Sequence, residues 1–382
     1  MSLSNPAREP NENANEREAQ MMRHSKRGWI VVALVLAALL LPVAANAQAL
    51  IKVNDDVWFR FGIQLQGWGD WTQSAENNGY AENLYLRRDR LLITGQVAPN
   101  VTFFFQTDDP NLGKAPKALT TGFLVQDALM EWKVADSFIL GGGEFLVPFA
   151  RNGLQSTLTY FTMDLSATST VNNTTLGDSA LRDTGAQIRG YVAPDEKLEY
   201  RFALLQGIRQ TGSRNGFREA GFLQYNFFER DTGYVLTGTS LGKKKMLNLF
   251  AGYDGQGNYH AYNGDIFWTL PTASHDEFGG QVQWAHYDGN TFLPVIPRQN
   301  DYLAELAYYS DAAKVQPFVR WEQQKFVSTA AQKNDQTRFG GGLNYYVHGQ
   351  NLKFVGQYLR IDSKAPIRNT NEFTLEMQVW YY

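Results

Sequence analysis

Charged residues recur in a fixed phase in several short stretches of the chain. Arg88 and Arg90 are two positions apart, and Asp127 and Glu131 are four positions apart. In an extended chain, residues separated by an even number of positions lie on the same face. Charges gathered on one face create a local field, and ion selectivity depends on such charges where a passage is narrowest. The spacing therefore indicates electrostatic discrimination among ions rather than bond-making chemistry.

Sequence patterns typical of catalysis are missing. The sequence has no HExxH, no GxSxG and no glycine-rich phosphate loop after a strand pattern. It has no cysteine, which excludes disulfides, thiolate nucleophiles and cysteine-ligated metals. The histidines at 260, 275, 286 and 348 are scattered, and His260 and His286 fall on apolar rows near strand ends. We therefore expect no catalytic residue, no metal site and no cofactor.

Composition favours a membrane barrel over a soluble globule. The formal net charge of the 382 residues is −3, which gives no indication of nucleic-acid binding. Aromatic residues make up 14% of the chain and glycine occurs 34 times. Aromatic girdles and alternating polarity are typical of outer-membrane barrels.

The first 47 residues have the pattern of a secretory signal. The apolar run 29–41 follows Arg23, Lys26 and Arg27 and precedes Ala45-Asn46-Ala47. This pattern predicts a signal peptide, preceded by an N-terminal extension and cleaved after Ala47. The alternative is a membrane anchor, but the run is shorter than the roughly 20 residues that a spanning helix needs. Translation from Met21 or Met22 is an alternative to Met1.

From 48 to 382 the alternation of polar and apolar residues recurs to the chain end. We count sixteen such segments, which predict an all-β fold, a transmembrane antiparallel β-barrel of sixteen strands. At the end of the chain, Phe373, Leu375, Met377, Val379 and Tyr381 form an apolar row. A strand that reaches the terminus needs partners on both edges, and closure of a barrel supplies them.

The connections between these segments alternate between short and long. Short ones carry turn residues, and placing the N-terminus in the periplasm makes them all periplasmic. The stretch 229–244 is an exception, a long connection on the short side. The connection 146–184, after the fifth strand, is the longest, and we expect it to fold into the lumen as the third extracellular loop. The alternative is that it covers the top of the barrel or packs on a neighbouring subunit.

Three stretches resemble the phosphate-selective porin O and P family: RRDRLLITGQ at 87–96, GGGEFLVPFARNG at 141–153 and LGKKKMLNLFAGYD at 241–254. The resemblance implies a homotrimeric porin of the Gram-negative outer membrane, with its third loop at the constriction and rings of basic residues that pass phosphate or polyphosphate. Asp89 departs from the family, which usually has a small or apolar residue there. Trp380 and Tyr382 also depart, because they are in phase with polar Gln378 and Glu376.

The alternation also assigns charges to the lumen. The basic candidates for pore lining are Arg60, Arg88, Arg90, Arg151, Arg182, Arg189, Arg201, Arg320 and Arg338, with Lys114 and Lys117 as further candidates. The acidic candidates are Asp127, Glu131, Asp164 and Asp183, with Asp178 as a further candidate. Other acidic residues assigned inward are Glu199, Asp254, Asp265, Glu305, Glu322 and Glu376. This balance predicts no strong preference for either charge. Arg60, Arg88 and Arg90 either face acidic residues of the inserted loop or pair with Asp127 and Glu131.

These patterns lead to a main functional hypothesis and three alternatives. The first is an outer-membrane porin for passive diffusion of small hydrophilic solutes and ions. The second is an oxyanion channel of the same architecture. The third is a plugged structural or adhesive barrel, and the fourth a secreted β-rich binding protein. The expected partners are membrane lipid, lipopolysaccharide, the diffusing solutes or anions, and the barrel-assembly machinery, through the C-terminal strand. Nucleic acid is not among them.

Overall fold

The structure is a computed structural model that describes residues 49–74, 78–116, 122–173, 176, 180–209, 215–364 and 369–382. The predicted signal peptide lies outside the described residues, as do Lys117 and Asp178.

A closed antiparallel barrel of sixteen strands dominates the structure, as the alternation predicts. A three-residue strand, β1 (Leu50–Lys52), precedes the barrel and pairs with its first strand. The barrel strands are β2 (Trp58–Gln73), β3 (Tyr80–Ala98), β4 (Val101–Asp108), β5 (Leu124–Ala135), β6 (Phe138–Leu146), β7 (Arg182–Val192), β8 (Leu198–Leu205), β9 (Arg218–Asn226), β10 (Met246–Gln256), β11 (Tyr259–Pro271), β12 (Glu277–Asp288), β13 (Gln299–Tyr309), β14 (Val315–Phe326), β15 (Gln336–Tyr346), β16 (Leu352–Ser363) and β17 (Thr370–Tyr381).

The last strand closes the barrel by pairing with β2, from Glu372 opposite Thr72 to Tyr381 opposite Ile63. The register is continuous, so no bulge explains the phase of the terminal aromatic residues. Trp380 and Tyr382 lie on the lumen face, with ring centroids 5.4 Å apart, and both border an internal cavity. The apolar row that includes Phe373, Leu375 and Met377 is exposed on the outside.

The barrel is apolar outside and mixed inside. On β10, Leu249 and Tyr253 are exposed, whereas Asn248, Phe250 and Asp254 are buried. Backbone groups of the strands bond to neighbouring strands, so such a wall can face hydrocarbon without unsatisfied donors. Within the described residues, no helix is both long and apolar enough to cross a membrane.

The two ends of the barrel differ in the length of their connections. We name the end with the short links 99–100 and 136–137 the turn end, and the opposite end the loop end. One connection at the turn end is long, 227–245 between β9 and β10, as the sequence indicates. We call it the inner turn.

The connection 147–181, which we call the long loop, folds into the lumen, as predicted. It starts with one helical turn, Arg151–Leu154, and then crosses the barrel. Its backbone oxygens at Leu158 and Phe161 accept hydrogen bonds from Lys353 Nζ (3.0 Å) and Asn344 Nδ2 (2.7 Å) on the far wall. Because these donors lie on β16 and β15, the loop spans the lumen instead of covering the top.

The inner turn enters the lumen from the other end and meets the long loop. Leu236 N donates to Leu154 O, and Ser156 N donates to Leu236 O, both at 2.8 Å. Thr239 N donates to Thr159 O at 2.7 Å. Leu236 is fully buried in a cluster with residues of the long loop and of strands β9 and β10. The two segments therefore form one internal layer.

Bulky apolar side chains fill part of the lumen, which the alternation does not reveal. The rings of Phe222 and Phe250 stack with centroids 4.5 Å apart, and Phe161 of the long loop stacks on Phe267 at 5.6 Å. The expectation of inward positions that are mostly polar is therefore incomplete. Through these apolar side chains the internal layer packs against the β9 to β11 wall.

Candidate functional site: a constriction between the long loop and the wall

A register shift in β3 brings two consecutive arginines to one carboxylate. The pairing of β2 with β3 skips a residue between Gln66 and Gly67, which leaves Arg87 as the extra residue. Such a bulge overrides the rule that successive side chains point to opposite faces. Arg87 Nε lies 3.0 Å from Asp164 Oδ2, and Arg88 Nη2 lies 2.6 Å from Asp164 Oδ1. The long loop is thus held against the β3 wall by charge.

The environment of Asp164 keeps this carboxylate ionised. Burial opposes its ionisation, but the charges of Arg87 and Arg88 outweigh burial and hold the pKa of Asp164 well below its usual range. The Leu165 backbone N–H also donates to Asp164 Oδ1 at 2.8 Å. The contact between loop and wall is therefore an ion pair throughout the ordinary pH range.

Other predicted arginines of this wall also have acidic partners. Arg90 Nε lies 2.9 Å from Asp108 Oδ2 on the neighbouring strand β4. On β7, Arg182 pairs with Asp127 at 3.1 Å and Arg189 pairs with Glu131 at 2.6 Å. Asp127 and Glu131 thus contact arginines of β7, and Arg88 contacts the loop. Of the two arrangements considered from the sequence, Arg88 thus has the first, facing the inserted loop, whereas Asp127 and Glu131 pair with β7 instead of with Arg60, Arg88 or Arg90.

The remaining predicted arginines are spread around the lumen. Arg201 pairs with Glu199 at 2.7 Å, and Arg320 pairs with Glu305 at 2.5 Å. Arg338 lies 3.6 Å from Glu322, which also contacts Arg320 at 3.3 Å. Arg60 sits over the rings of Trp58 and Tyr382, with its guanidinium carbon 5.7 Å and 5.2 Å from their centroids. Lys114 contacts Asp70 at 3.2 Å at the loop end. Among these residues Arg320 reaches the long loop from the β14 wall, because it donates to Asp164 O at 2.5 Å and to Leu165 O at 3.4 Å.

Arg151 lies between the long loop and the inner turn. It is fully buried, 3.4 Å from Asp231, and it donates to Thr237 O at 2.9 Å. Its guanidinium carbon is 3.4 Å from the ring centroid of Phe267. Burial lowers the pKa of Arg151, and Asp231 opposes that shift. With no exposed surface, this guanidinium joins the two inserted segments.

Several charged residues in the lumen escape the sequence assignment. Arg218 pairs with Asp254 at 2.7 Å and with Asp183 at 3.3 Å. Lys353 is buried against the long loop. Arg218 and Lys353 each continue the inward phase of their strand, so the same alternation could have found them. Arg87 could be found only by recognising the bulge.

An internal cavity of about 350 Å³ lies beside this layer, bordered by β3, β4, β7 and the chain end. We call it the side cavity. Its charged lining residues are Arg90, Arg182, Arg189 and Glu131. Tyr160 of the long loop and Tyr234 of the inner turn also line it. The cavity therefore has a mixed lining, in which apolar side chains such as Leu92, Phe103 and Leu129 surround three guanidinium groups and one carboxylate.

The two tyrosines stay neutral, and Tyr234 acts as a hydrogen-bonding group. Burial raises the pKa of Tyr160 to about 12. Burial, with Asp127 beside it, raises the pKa of Tyr234 far above its usual range. Tyr234 donates its O–H to Asp127 Oδ1 and accepts from Leu146 N, both at 2.7 Å. Tyr234 thereby ties the inner turn to the start of the long loop.

Comparison with known proteins places the fold. No family model matches the sequence, and no curated protein matches it. Among solved structures, OprB from Pseudomonas putida at high pH superposes with a TM-score of 0.61 and 8% identity, over 85% of this chain and 94% of that one. An anion-selective porin from Comamonas acidovorans superposes with a TM-score of 0.57 and 10% identity, over 85% of this chain and 99% of that one. OmpF of Salmonella typhi in complex with daunomycin superposes with a TM-score of 0.57 and 12% identity, over 86% of this chain and 99% of that one. The chain therefore has the fold of bacterial outer-membrane porins.

Proposed function

We propose that this protein is an outer-membrane channel through which small hydrophilic solutes and ions diffuse passively. The observation that carries the proposal is a closed barrel, apolar outside, whose lumen holds an inserted loop beside a cavity with four charged side chains in its lining. A wall of this kind suits lipid, and the charged and polar side chains among those of the lumen suit water. The three porins compared above support the same reading through their shared fold.

The inserted segments define the size limit of such a channel. The long loop contacts β2, β3, β15 and β16, and the inner turn bonds to it from the turn end. Solutes would therefore pass between the long loop and the β3, β4 and β7 wall, where the side cavity lies. A channel narrowed by one internal layer of two inserted segments should admit only small solutes.

A second candidate is an anion-preferring channel of the same architecture. Arg90, Arg182 and Arg189 outnumber Glu131 in the lining of the side cavity, which favours anions locally. The superposed porin from Comamonas acidovorans is described as anion-selective. Against strict phosphate selectivity, each of the three arginines already has a carboxylate partner. We therefore favour a weak anion preference over a phosphate-specific site.

Other features of the proposal follow from the sequence. They are export through a cleaved signal, contact with lipid and lipopolysaccharide, insertion by the barrel-assembly machinery and assembly as a homotrimer. Cross-linking of the folded protein in membranes tests the last of these by counting subunits.

Two measurements on reconstituted protein test the functional proposal. Liposome swelling with sugars of increasing size should give fast entry of the smallest and exclusion of oligosaccharides. The zero-current potential in a KCl gradient should lie modestly on the chloride side. Liposomes that do not swell with any solute would contradict a diffusion channel. A strong cation preference would contradict the assigned route.

A further inference from the structure

Two histidines that are far apart in sequence meet on the outer face of the barrel. His260 is the second residue of β11 and His286 is near the end of β12, so both lie at the loop end. In the pairing of these strands His260 is opposite Asp288, and His286 is opposite Tyr262. His260 and His286 are therefore diagonal neighbours, and their ring centroids are 6.4 Å apart. The expectation of scattered histidines does not hold for this pair in space.

We propose that His260, His286 and Asp288 form a binding site for a divalent transition-metal ion such as Zn²⁺. One ring nitrogen of each histidine and one carboxylate oxygen of Asp288 lie within 4.8 Å of one another. Ligands 2.0–2.2 Å from a tetrahedral ion are about 3.4 Å apart, so the ligand atoms need to approach one another by at most about 1.4 Å. All three are partly exposed, which gives an ion access and leaves water as the fourth ligand.

A neighbouring strand orients one of the histidines. Asn300 on β13 is opposite His286, and its Oδ1 lies 3.0 Å from His286 Nδ1. An Nδ1–H bonded to a carbonyl oxygen leaves Nε2 unprotonated as the ligand, an arrangement that commonly accompanies histidine ligation of metals. The ring of His286 also stacks on Trp284, with centroids 6.3 Å apart. The ring therefore has a defined orientation before any ion binds.

Asp288 has two contacts, and neither prevents ligation. Its Oδ1 accepts from Asn290 N at 3.0 Å, and its Oδ2 lies 3.6 Å from Arg298 Nε. Arg298 is largely exposed, and exposed ion pairs of this kind contribute little, so an ion can displace it. Asn258 Oδ1 accepts from Phe292 N at 2.9 Å, which ties the turn before β11 to the connection after β12. The backbone on both sides of the site is thus held in place.

The ligand set selects the class of ion. Two imidazoles and one carboxylate suit Zn²⁺, Cu²⁺ or Ni²⁺, whereas Mg²⁺ and Ca²⁺ prefer oxygen ligands alone. The ordinary alternative is that the histidines belong to an aromatic belt at the lipid boundary, since His260 also packs on Tyr262 at 5.6 Å. A belt requires no metal affinity, so binding measurements separate the two. The site is outside the lumen, and the inference does not depend on channel activity.

Calorimetric titration of the folded full chain in detergent with ZnCl₂ tests the site, with MgCl₂ as the competing ion. We expect one saturable Zn²⁺ site per chain that a tenfold excess of Mg²⁺ does not displace. H286Q should weaken Zn²⁺ binding at least tenfold. The matched control H275Q, in the turn 272–276 at the opposite end, should bind as the wild type does. Co²⁺ should give visible absorption bands of four-coordinate geometry that H286Q lacks.

Some outcomes would overturn the inference. No saturable Zn²⁺ binding by the wild type would reject the site. Equal loss of binding in H286Q and H275Q, or loss in neither, would place any binding elsewhere. A heat-modifiability gel shift checks that each variant is folded. If H286Q does not fold, H260Q and D288N provide the same comparison from the other two ligands.

Discussion

Arg151 of the long loop and Asp231 of the inner turn form an ion pair that solvent does not reach, with Nη2 3.4 Å from Oδ2 and side chains 0% and 2% exposed. It links two segments that enter the barrel from opposite ends. Removing one partner of a buried pair leaves an uncompensated charge and costs about 3–5 kcal/mol. The geometry of the constriction should therefore depend on this contact.

Asp231→Asn is expected to loosen the layer formed by the two segments. The buried guanidinium of Arg151 would lose its counter-charge, so the long loop should move away from the inner turn part of the time. Single-channel recordings should show a larger or noisier conductance than the wild type. Asp136→Asn is the control, because its ion pair with Lys133 is exposed at the barrel end, and we expect no change. A quiet D231N channel of wild-type conductance would contradict this role.

Gly252→Ala should displace the long loop by steric contact. A β-carbon at position 252, on the lumen face of β10, would lie 1.9 Å from Phe149 O, so the loop backbone must move. We expect increased conductance and faster proteolysis of the long loop in the folded protein. Gly264→Ala on the outer face of β11 is the matched control, since its nearest heavy atom would be Trp284 Cε3 at 3.8 Å. Equal behaviour of the two variants would argue against close packing at Gly252.

Acid should loosen the long loop only at low pH. The charges of Arg87 and Arg88 outweigh burial and keep the pKa of Asp164 depressed, so its contribution is complete above the unfolded pKa of about 3.9. That contribution declines as the pH falls from there towards the folded pKa. Conductance should therefore be constant from pH 7 to 5 and change below about pH 4.

Asp164→Asn tests the assignment of this pH dependence. The variant should have a loosened loop at neutral pH and a smaller change in conductance on acidification. Asp362→Asn, which removes a half-exposed partner of Arg360, should retain the wild-type profile. A wild-type transition near pH 6, or an unchanged profile in D164N, would point to other groups.

Reciprocal substitutions in the side cavity should shift ion preference in opposite directions. Arg189 and Glu131 form a pair at the cavity lining, so R189Q leaves a net negative charge and E131Q leaves a net positive one. The zero-current potential in a KCl gradient should move towards potassium in R189Q and towards chloride in E131Q. Arg338→Gln, away from the cavity, should have a much smaller effect. Shifts in the same direction in both variants would contradict the assigned route.

The structure also shows that one test suggested by the sequence is unsuitable. From the sequence alone, reversing Arg88 and Arg90 to glutamate is a direct test of a basic wall. Each of these arginines is buried beside a carboxylate, Asp164 or Asp108, so glutamate there would bring two acids together. We expect that variant to disturb folding, which makes it a poor measure of selectivity.

The sequence predicts the barrel well because its rule is simple. A strand with one apolar face alternates strictly, so the sixteen strands and the inward phase of Arg189 and Glu305 follow from position alone. The bulge at Arg87 breaks that rule, and one extra residue is difficult to see without the pairing of β2 and β3. The short strand β1 carries too few residues to show a period.

Contacts between segments are where sequence reasoning fails. Nothing in the spacing of Arg151 and Asp231 relates them, because loop segments have no period and their approach depends on packing. The length of 227–245 identifies the inner turn as unusual, but not that it enters the lumen. His260 lies opposite Asp288 because of the register of β11 and β12, which the connection 272–276 sets. An error of one residue in a predicted strand end would place His260 opposite another residue.

The most direct test of the central claim is the single-channel current of folded, heat-modifiable protein in a planar bilayer in symmetric KCl. The account predicts discrete, steady openings of small conductance, because the proposed route for solutes runs only beside the long loop and the inner turn. It also predicts that D231N and G252A exceed that conductance while D136N and G264A do not. Folded protein that gives no current, either as the wild type or as the loosened variants, would contradict the claim that this barrel is a channel.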